Sequence, residues 1–165
     1  MTQKKLALVS GANGHLGNNL VRLLIDKGIP VRASVRQINN KTPFEGLDCE
    51  VVQADITDKI SFVKALEGVE TFYAVGASFK LWAKDAKKEI YDVNILGTKN
   101  TIEAAAEAGV KRIVYISSIA ALDYAKLPTK ESYGYNPDRR DMDYIASFLG
   151  MKPESLSRIR RKWLL

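Results

Sequence analysis

Short apolar runs alternate along the chain with longer stretches whose apolar residues recur at helical spacing. Leu6-Ala7-Leu8-Val9 is a continuous apolar run between polar ends, the pattern of a buried parallel strand. A glycine-rich loop follows, and then Leu16, Leu20, Leu23 and Leu24 mark the apolar face of a helix that Gly28 stops. Residues 31–35 alternate as a second strand, and Glu50-Val51-Val52 is a third, followed by a short helix ending near Gly68. Residues 71–75 form a fourth strand. A longer helix is predicted from about residue 86 to 108, closed by Gly109, with Ile90, Val93, Ile102 and Ala105 among its buried positions. Residues 112–116 are a fifth strand.

Strands alternating with helices imply parallel pairing through right-handed crossovers. The fold class expected is therefore α/β, a Rossmann-type doubly wound parallel sheet of strand order 3-2-1-4-5. A cofactor crevice belongs at the carboxyl ends beside the first strand.

The loop Gly11-Ala12-Asn13-Gly14-His15-Leu16-Gly17 gives this crevice a chemistry. A diphosphate needs unobstructed backbone N–H groups at a helix N-terminus, and this loop sits between a strand and a helix. Gly11 permits the tight turn, Gly14 lets the diphosphate approach, and Gly17 lets the helix pack close to the strand. An NAD site usually carries an acidic residue at the end of its second strand. Here that strand reads Val31-Arg32-Ala33-Ser34-Val35-Arg36, without a carboxylate. Alternation places Arg32, Ser34 and Arg36 on one face, with Arg36 at the carboxyl end. A guanidinium there pairs with a 2′-phosphate, so NADP is expected, with NAD as the alternative.

Composition narrows the rest. No apolar run approaches the roughly 20 residues of a membrane span. The residues Met1-Thr2-Gln3-Lys4-Lys5 lead straight into the first apolar run, so no signal peptide is expected, and cytoplasm is the expected compartment. The single cysteine, Cys49, excludes an internal disulfide. The single histidine, His15, excludes a histidine metal cluster, and no metal site is expected. Of a net charge of +6, residues 139–165 hold +4, from 7 Lys and Arg against 3 Asp and Glu. The basic character thus sits in a short C-terminal part.

The spacing Gly-x-x-Gly-x-x-Gly resembles that of the short-chain dehydrogenase/reductase superfamily. From about Lys4 to Met142 the chain resembles the extended branch of NAD-dependent epimerases and dehydratases, near the dihydroflavonol-4-reductase-like enzymes. The resemblance rests on Val9-Ser10-Gly11, the second-strand sequence, Ala54-Asp55-Ile56-Thr57-Asp58 and Ala74-Val75-Gly76-Ala77. It continues through Asn94-Ile95-Leu96-Gly97-Thr98 and Arg112-Ile113-Val114-Tyr115-Ile116-Ser117-Ser118. It implies a reductase or dehydrogenase acting on a small carbonyl or hydroxyl substrate. Cofactor contacts are implied for Gly11, Asn13, Gly14, His15, Leu16, Gly17 and Arg36. Asp55 and Ile56 would meet the adenine, and residues 74–77 (Ala74, Val75 and Gly76 among them) would line the nicotinamide ribose. Asn94 would brace its helix beside the site, or else cap or kink that helix. Ser118 would bond the substrate oxygen as the catalytic serine, with Ser117 as the register alternative. Phe79 and Trp82 stand where the family's substrate pocket begins, or simply pack within a loop.

One part of the pattern is missing. The family's chemistry uses a tyrosine with a lysine four residues on, because a free phenol with a pKa of about 10 is a poor base at neutral pH. None of Tyr73, Tyr91, Tyr115, Tyr124, Tyr133, Tyr135 and Tyr144 has such a lysine. Tyr135 has Arg139 at that distance, but arginine does not shuttle a proton. Little or no turnover is expected, and a non-catalytic NADP-binding sensor is the alternative function.

From Met142 to Trp163 the chain resembles instead the helix-turn-helix of cyclic-nucleotide-receptor-type transcription regulators. Ile145, Ala146 and Leu149 would form the inner face of a first helix, and Pro153-Glu154-Ser155 would open a second. Ser157, Arg158, Arg160, Arg161 and Lys162 would face outward, as on a recognition helix or on a merely solvated one. Weak, charge-driven binding to nucleic acid is a third reading. The expected organisation is a nucleotide-binding domain over 1–142, truncated after the fifth strand, and a basic helical tail over 143–165. So abrupt a switch is expected of a fusion, a truncated or frameshifted gene, or an assembly artefact.

Overall fold

The computed structural model describes residues 5–39, 42–78 and 83–117. The chain divides into two units, Met1–Tyr115 and Ile116–Leu165, and every element described below belongs to the first. Its strands are β1 (Ala7–Ser10), β2 (Val31–Val35), β3 (Glu50–Gln53), β4 (Thr71–Ala74) and β5 (Arg112–Tyr115). Its helices are α1 (His15–Asp26), α2 (Lys59–Ala65) and α3 (Asp92–Glu107). The sheet is parallel throughout, in the order β3-β2-β1-β4-β5. This is the expected Rossmann-type arrangement, with β1 at its centre.

All four residues of β1 are buried, as a central strand covered on both faces requires. Ala7 and Val9 join Val31, Ala33 and Val35 on the face that packs against Val21 and Leu24 of α1. Phe44, on the connection from β2 to β3, plugs the same core. On the opposite face Phe72 of β4 meets Phe62 of α2, ring centroids 5.9 Å apart and planes tilted by 56°. Such a pair contributes about 0.5–1.5 kcal/mol beyond its buried area.

Arg32 of β2 also lies on that opposite face, where three hydrogen bonds hold it. Its Nη1 donates to the carbonyls of Ala65 (2.6 Å) and Glu67 (2.8 Å), and its Nε donates to Glu50 at 2.7 Å. A guanidinium thereby satisfies the open carbonyls at the end of α2 and ties that helix to β2 and β3.

Two expectations need correction. Leu16 and Leu23 do not belong to the core; each is 50% exposed, whereas Gly17, Val21 and Leu24 form the buried stripe of α1. Gly17 turns its bare backbone to the glycine loop at Gly11 and Ala12, so the buried stripe runs through Gly17, Val21 and Leu24 and leaves Leu16 and Leu23 on the flank. The long helix is also not uniform. A π-helical turn, Lys87–Tyr91, precedes α3 and shifts its register. Of its expected core residues Ile102 and Ala105 are buried, and Ile90 and Val93 only partly so. Among the described residues no helix is long and apolar enough to cross a membrane.

Candidate cofactor site

The glycine loop leaves β1 at Ser10 and enters α1 through Gly14. Gly11 has φ +61°, and a Cβ there would lie 2.7 Å from the Cα of Gly76. Only glycine combines that left-handed backbone with so close an approach. At Gly17 a Cβ would lie 2.3 Å from the carbonyl oxygen of Gly11, so the bare helix can rest on the loop. A Cβ at Gly14 would meet nothing nearer than the Gly11 carbonyl at 3.2 Å, so that side of the loop is open.

The N-terminus of α1 is prepared for an anion. No side chain caps it, and its first turn holds no acidic residue. The first N–H groups of a helix have no partner within it, and the aligned peptide dipoles favour negative charge there. Asn13, Gly14, His15 and Leu16 are all exposed around this end. A diphosphate fits a site built in this way.

Three buried or half-buried side chains, none of them singled out by the sequence reading as a site residue, hold the crevice in shape. Ser10, 1% exposed, accepts hydrogen bonds through its Oγ from the N–H of Val75 (3.0 Å) and of Gly76 (2.9 Å). The end of β1 is thereby tied to the segment after β4, and those two N–H groups are spent on it. Asn100 of α3 donates through Nδ2 to the carbonyls of Ile56 (3.2 Å) and Thr57 (3.0 Å), fixing the loop after β3. Ser78 donates its N–H to Asn94 Oδ1 (2.7 Å), accepts from Asn94 Nδ2 (2.9 Å) and donates its Oγ to the Glu89 carbonyl (2.8 Å). Asn94 therefore neither caps nor kinks α3; it bridges that helix to the loop after β4. A polar residue closing an apolar strand was a usable signal for Ser10, whereas Asn100 had no local signal.

The remaining expected positions distribute as follows. Asp55 is half-buried, and its Oδ1 accepts from the N–H (2.8 Å) and Oγ1 (2.7 Å) of Thr57, leaving Oδ2 without a bond among the described residues. Ile56 lies against Gly97 of α3, where a Cβ would come within 2.6 Å of its Cδ1. Ala74 is buried, while Val75 and Gly76 are half-buried beside the glycine loop. Arg36 is exposed just past the end of β2, with no partner among the described residues. Ser117 is exposed and belongs to the second unit. Ser118, Phe79, Trp82 and the basic residues Arg158, Arg160, Arg161 and Lys162 lie outside the described residues. Among the described residues no group of acidic, histidine and cysteine side chains could hold a metal ion.

Comparison with known proteins agrees with this geometry. A family model described as NAD(P)H-binding matches residues 11–146. Sterol demethylase protein B of Methylococcus capsulatus is 42% identical over 115 residues, which are 70% of this chain and 35% of that protein. A putative dihydroflavonol 4-reductase of Synechocystis is 37% identical over 114 residues, 69% of this chain and 33% of its own. The crystal structure of gox2253 superposes with a TM-score of 0.73 at 32% identity, covering 98% of this chain and 49% of that one. The chain thus spans about a third of the length of those two curated relatives. A parallel sheet in this strand order, a glycine loop opening onto an uncapped helix and a family match across both lead to one assignment: the chain belongs to the NAD(P)H-binding family, as the Rossmann-like domain of the NAD-dependent epimerase/dehydratase and dihydroflavonol-4-reductase-like superfamily.

Proposed function

We propose that this chain is an NADP(H)-binding domain of a reductase that interconverts a carbonyl and a hydroxyl on a small organic substrate. The observation that carries the cofactor choice is Arg36. It stands exposed past the end of β2, without a partner among the described residues, where an NAD site would place a carboxylate. In this reading Gly11, Asn13, Gly14, His15, Leu16 and Gly17 hold the diphosphate, and Arg36 holds the 2′-phosphate. Asp55 and Ile56 flank the adenine, and Ala74, Val75 and Gly76 flank the nicotinamide ribose. Because Ser10 already occupies the N–H groups of Val75 and Gly76, that flank offers the ribose carbonyls and apolar surface. The nicotinamide, when bound, supplies the hydride chemistry, and the protein's part is position and electrostatics.

Ser118, or Ser117 in the alternative register, is assigned the substrate oxygen. The Tyr-x-x-x-Lys pair that would move the proton is absent from this sequence. We therefore expect cofactor binding with little or no turnover from this chain, which also favours a nucleotide-sensing role as the second reading. The organisation into a domain over 1–142 and a basic helical tail over 143–165 is part of the same proposal. In its third reading Arg158, Arg160, Arg161 and Lys162 bind DNA through charge, and that affinity would fall steeply with salt.

Thermal unfolding with NADPH and, separately, with NADH tests the cofactor reading. A ligand at about 100 times its Kd stabilises by about 2.7 kcal/mol, several degrees in a domain of this size. A rise with NADPH that exceeds the rise with NADH supports the proposal; a cooperative transition that neither cofactor moves overturns it.

A further inference from the structure

The segment after β2 is fastened to α1 by a triangle of hydrogen bonds. Asn18 Nδ2 donates to the Pro43 carbonyl at 2.9 Å, and Arg22 Nη2 donates to the same carbonyl at 3.2 Å. The third side is closed by Arg22 Nε, which donates to Asn18 Oδ1 at 2.9 Å. Each group is used in its proper sense: the amide of Asn18 accepts from arginine and donates to the carbonyl, and two donors share the two lone pairs of that carbonyl. The next residue, Phe44, is 5% exposed and packs into the core with Val21, Ala33 and Val35.

The chain is therefore anchored twice. At the first anchor the Val35 carbonyl accepts from the Ala54 N–H at 2.9 Å, and the second is the Pro43–Phe44 pair. The span between the anchors begins with Arg36. On the helix side the latch starts one turn past Gly14, since the Asn18 N–H donates to the Gly14 carbonyl at 2.9 Å. The same helix that meets the diphosphate thus holds the chain at Pro43, on the connection from β2 to β3.

We propose that Asn18 and Arg22 are positioning residues for cofactor choice: their latch on Pro43 holds the connection after β2 where Arg36 meets a phosphate monoester on the adenosine ribose. The proposal rests on the NADP(H) reading above. Neither residue touches the phosphate; Arg22 has its Nε and Nη2 committed to Asn18 and Pro43. NADPH and NADH share every group except that phosphate, so a displaced Arg36 weakens one cofactor and spares the other. A latch that merely stabilised the fold would weaken both together.

Calorimetric titration of the full chain with NADPH and with NADH separates these cases. The variants are Arg22→Met, the milder Asn18→Ala, Arg36→Ala, and Arg22→Met combined with Arg36→Ala. Phe72→Leu is the control, because it loosens the packing on the opposite face of the sheet, where Phe72 meets Phe62, without touching Phe44 or the latch. Arg22→Met and Asn18→Ala should each cut the preference for NADPH over NADH about tenfold, the loss expected of one charge-assisted contact. The Kd for NADH should stay within about twofold. Phe72→Leu should lower the melting temperature and keep the preference. In the Arg36→Ala background Arg22→Met should have no further effect, because the two act through one contact. A preference that survives both latch variants overturns the inference while leaving the cofactor reading intact. A wild-type chain with no preference, unchanged by Arg36→Ala, overturns the cofactor reading and the latch with it.

Discussion

The Oγ of Ser10 lies 2.9 Å from the backbone nitrogen of Gly76, and through that one hydroxyl the central strand governs the loop after β4. The same oxygen accepts from Val75 at 3.0 Å. Ser10→Ala removes the acceptor of both bonds; the Val75 N–H keeps the Tyr73 carbonyl at 3.1 Å, and the half-buried Gly76 N–H is left to pair with water or with nothing. The expected cost is about 1–3 kcal/mol, a fall of several degrees in the melting temperature. The stabilisation by NADPH should shrink as well, because the loosened segment flanks the cofactor. A melting temperature within about a degree of wild type would show that the hydroxyl is not the brace.

Gly17 and Gly14 separate folding from binding. A Cβ at Gly17 would stand 2.3 Å from one backbone atom of the loop and 2.9 Å from two others, none of which can swing aside. Gly17→Ala should therefore cost about 2–3 kcal/mol as overpacking. At Gly14 φ is −79°, and the one close atom is 3.2 Å away, so alanine fits the fold there and stability should change by less than about 1 kcal/mol. The methyl group would nevertheless stand at the helix end where the diphosphate approaches. Gly14→Ala should weaken NADPH at least about tenfold at nearly unchanged stability, measured by calorimetry and urea unfolding. Equal effects of the two variants on stability would contradict this division.

Arg36→Glu exchanges the feature assigned to the 2′-phosphate for the carboxylate of an NAD site. Loss of a charge-assisted contact costs about 1.5–3 kcal/mol, so NADPH should bind roughly ten- to a hundredfold more weakly. NADH should bind as well as before or better. Parallel losses for both cofactors would remove Arg36 from the site.

The sheet order was legible because its signals are local. A continuous apolar run marked β1, alternation marked β2, and Gly28, Gly68 and Gly109 marked helix ends. Each of these glycines has φ between +64° and +73°, the left-handed backbone that a helix stop uses. Periodicity failed at Leu16 and Leu23, since it cannot register that a glycine resting on the loop draws the buried stripe toward Gly17, Val21 and Leu24. The loop residues of the candidate site were legible for the same local reason as the strands. The braces were not, because Asn100 bonds to residues 43 and 44 positions away and Ser10 to residues 65 and 66 away. Such partners exist only once the strands are in order.

Cys49 gives a pH-dependent check on the packing beside β3. Burial, and then the neighbouring Asp48 carboxylate, raises its thiol above the usual range. The fold thus favours the protonated form. Its contribution to stability is full below the thiol's unfolded pKa and is lost as pH rises through the folded one. Alkylation by iodoacetamide, which needs the thiolate, should reach half its maximal rate at higher pH in the folded chain than in urea. Coincident profiles would mean that the thiol is not held as described.

Ser34 offers the opposite kind of test, a residue whose removal should help. It pairs in register with Ser10 across the centre of the sheet and is 1% exposed, and its Oγ has no hydrogen-bond partner among the described residues. A buried hydroxyl without a partner loses its bonds to water on folding and recovers none of them, at a cost of about 1–3 kcal/mol. Ser34→Ala removes that hydroxyl and leaves only a small void, with a transfer and packing loss of at most about 1 kcal/mol. The variant should therefore be as stable as wild type or up to about 2 kcal/mol more stable in urea unfolding. Its NADPH affinity should be unchanged, because a hydroxyl enclosed in this way cannot reach a ligand. Destabilisation by more than about 1 kcal/mol would instead show that Ser34 has a partner in solution. A selective loss of NADPH affinity would place its hydroxyl in the crevice beside Ser10.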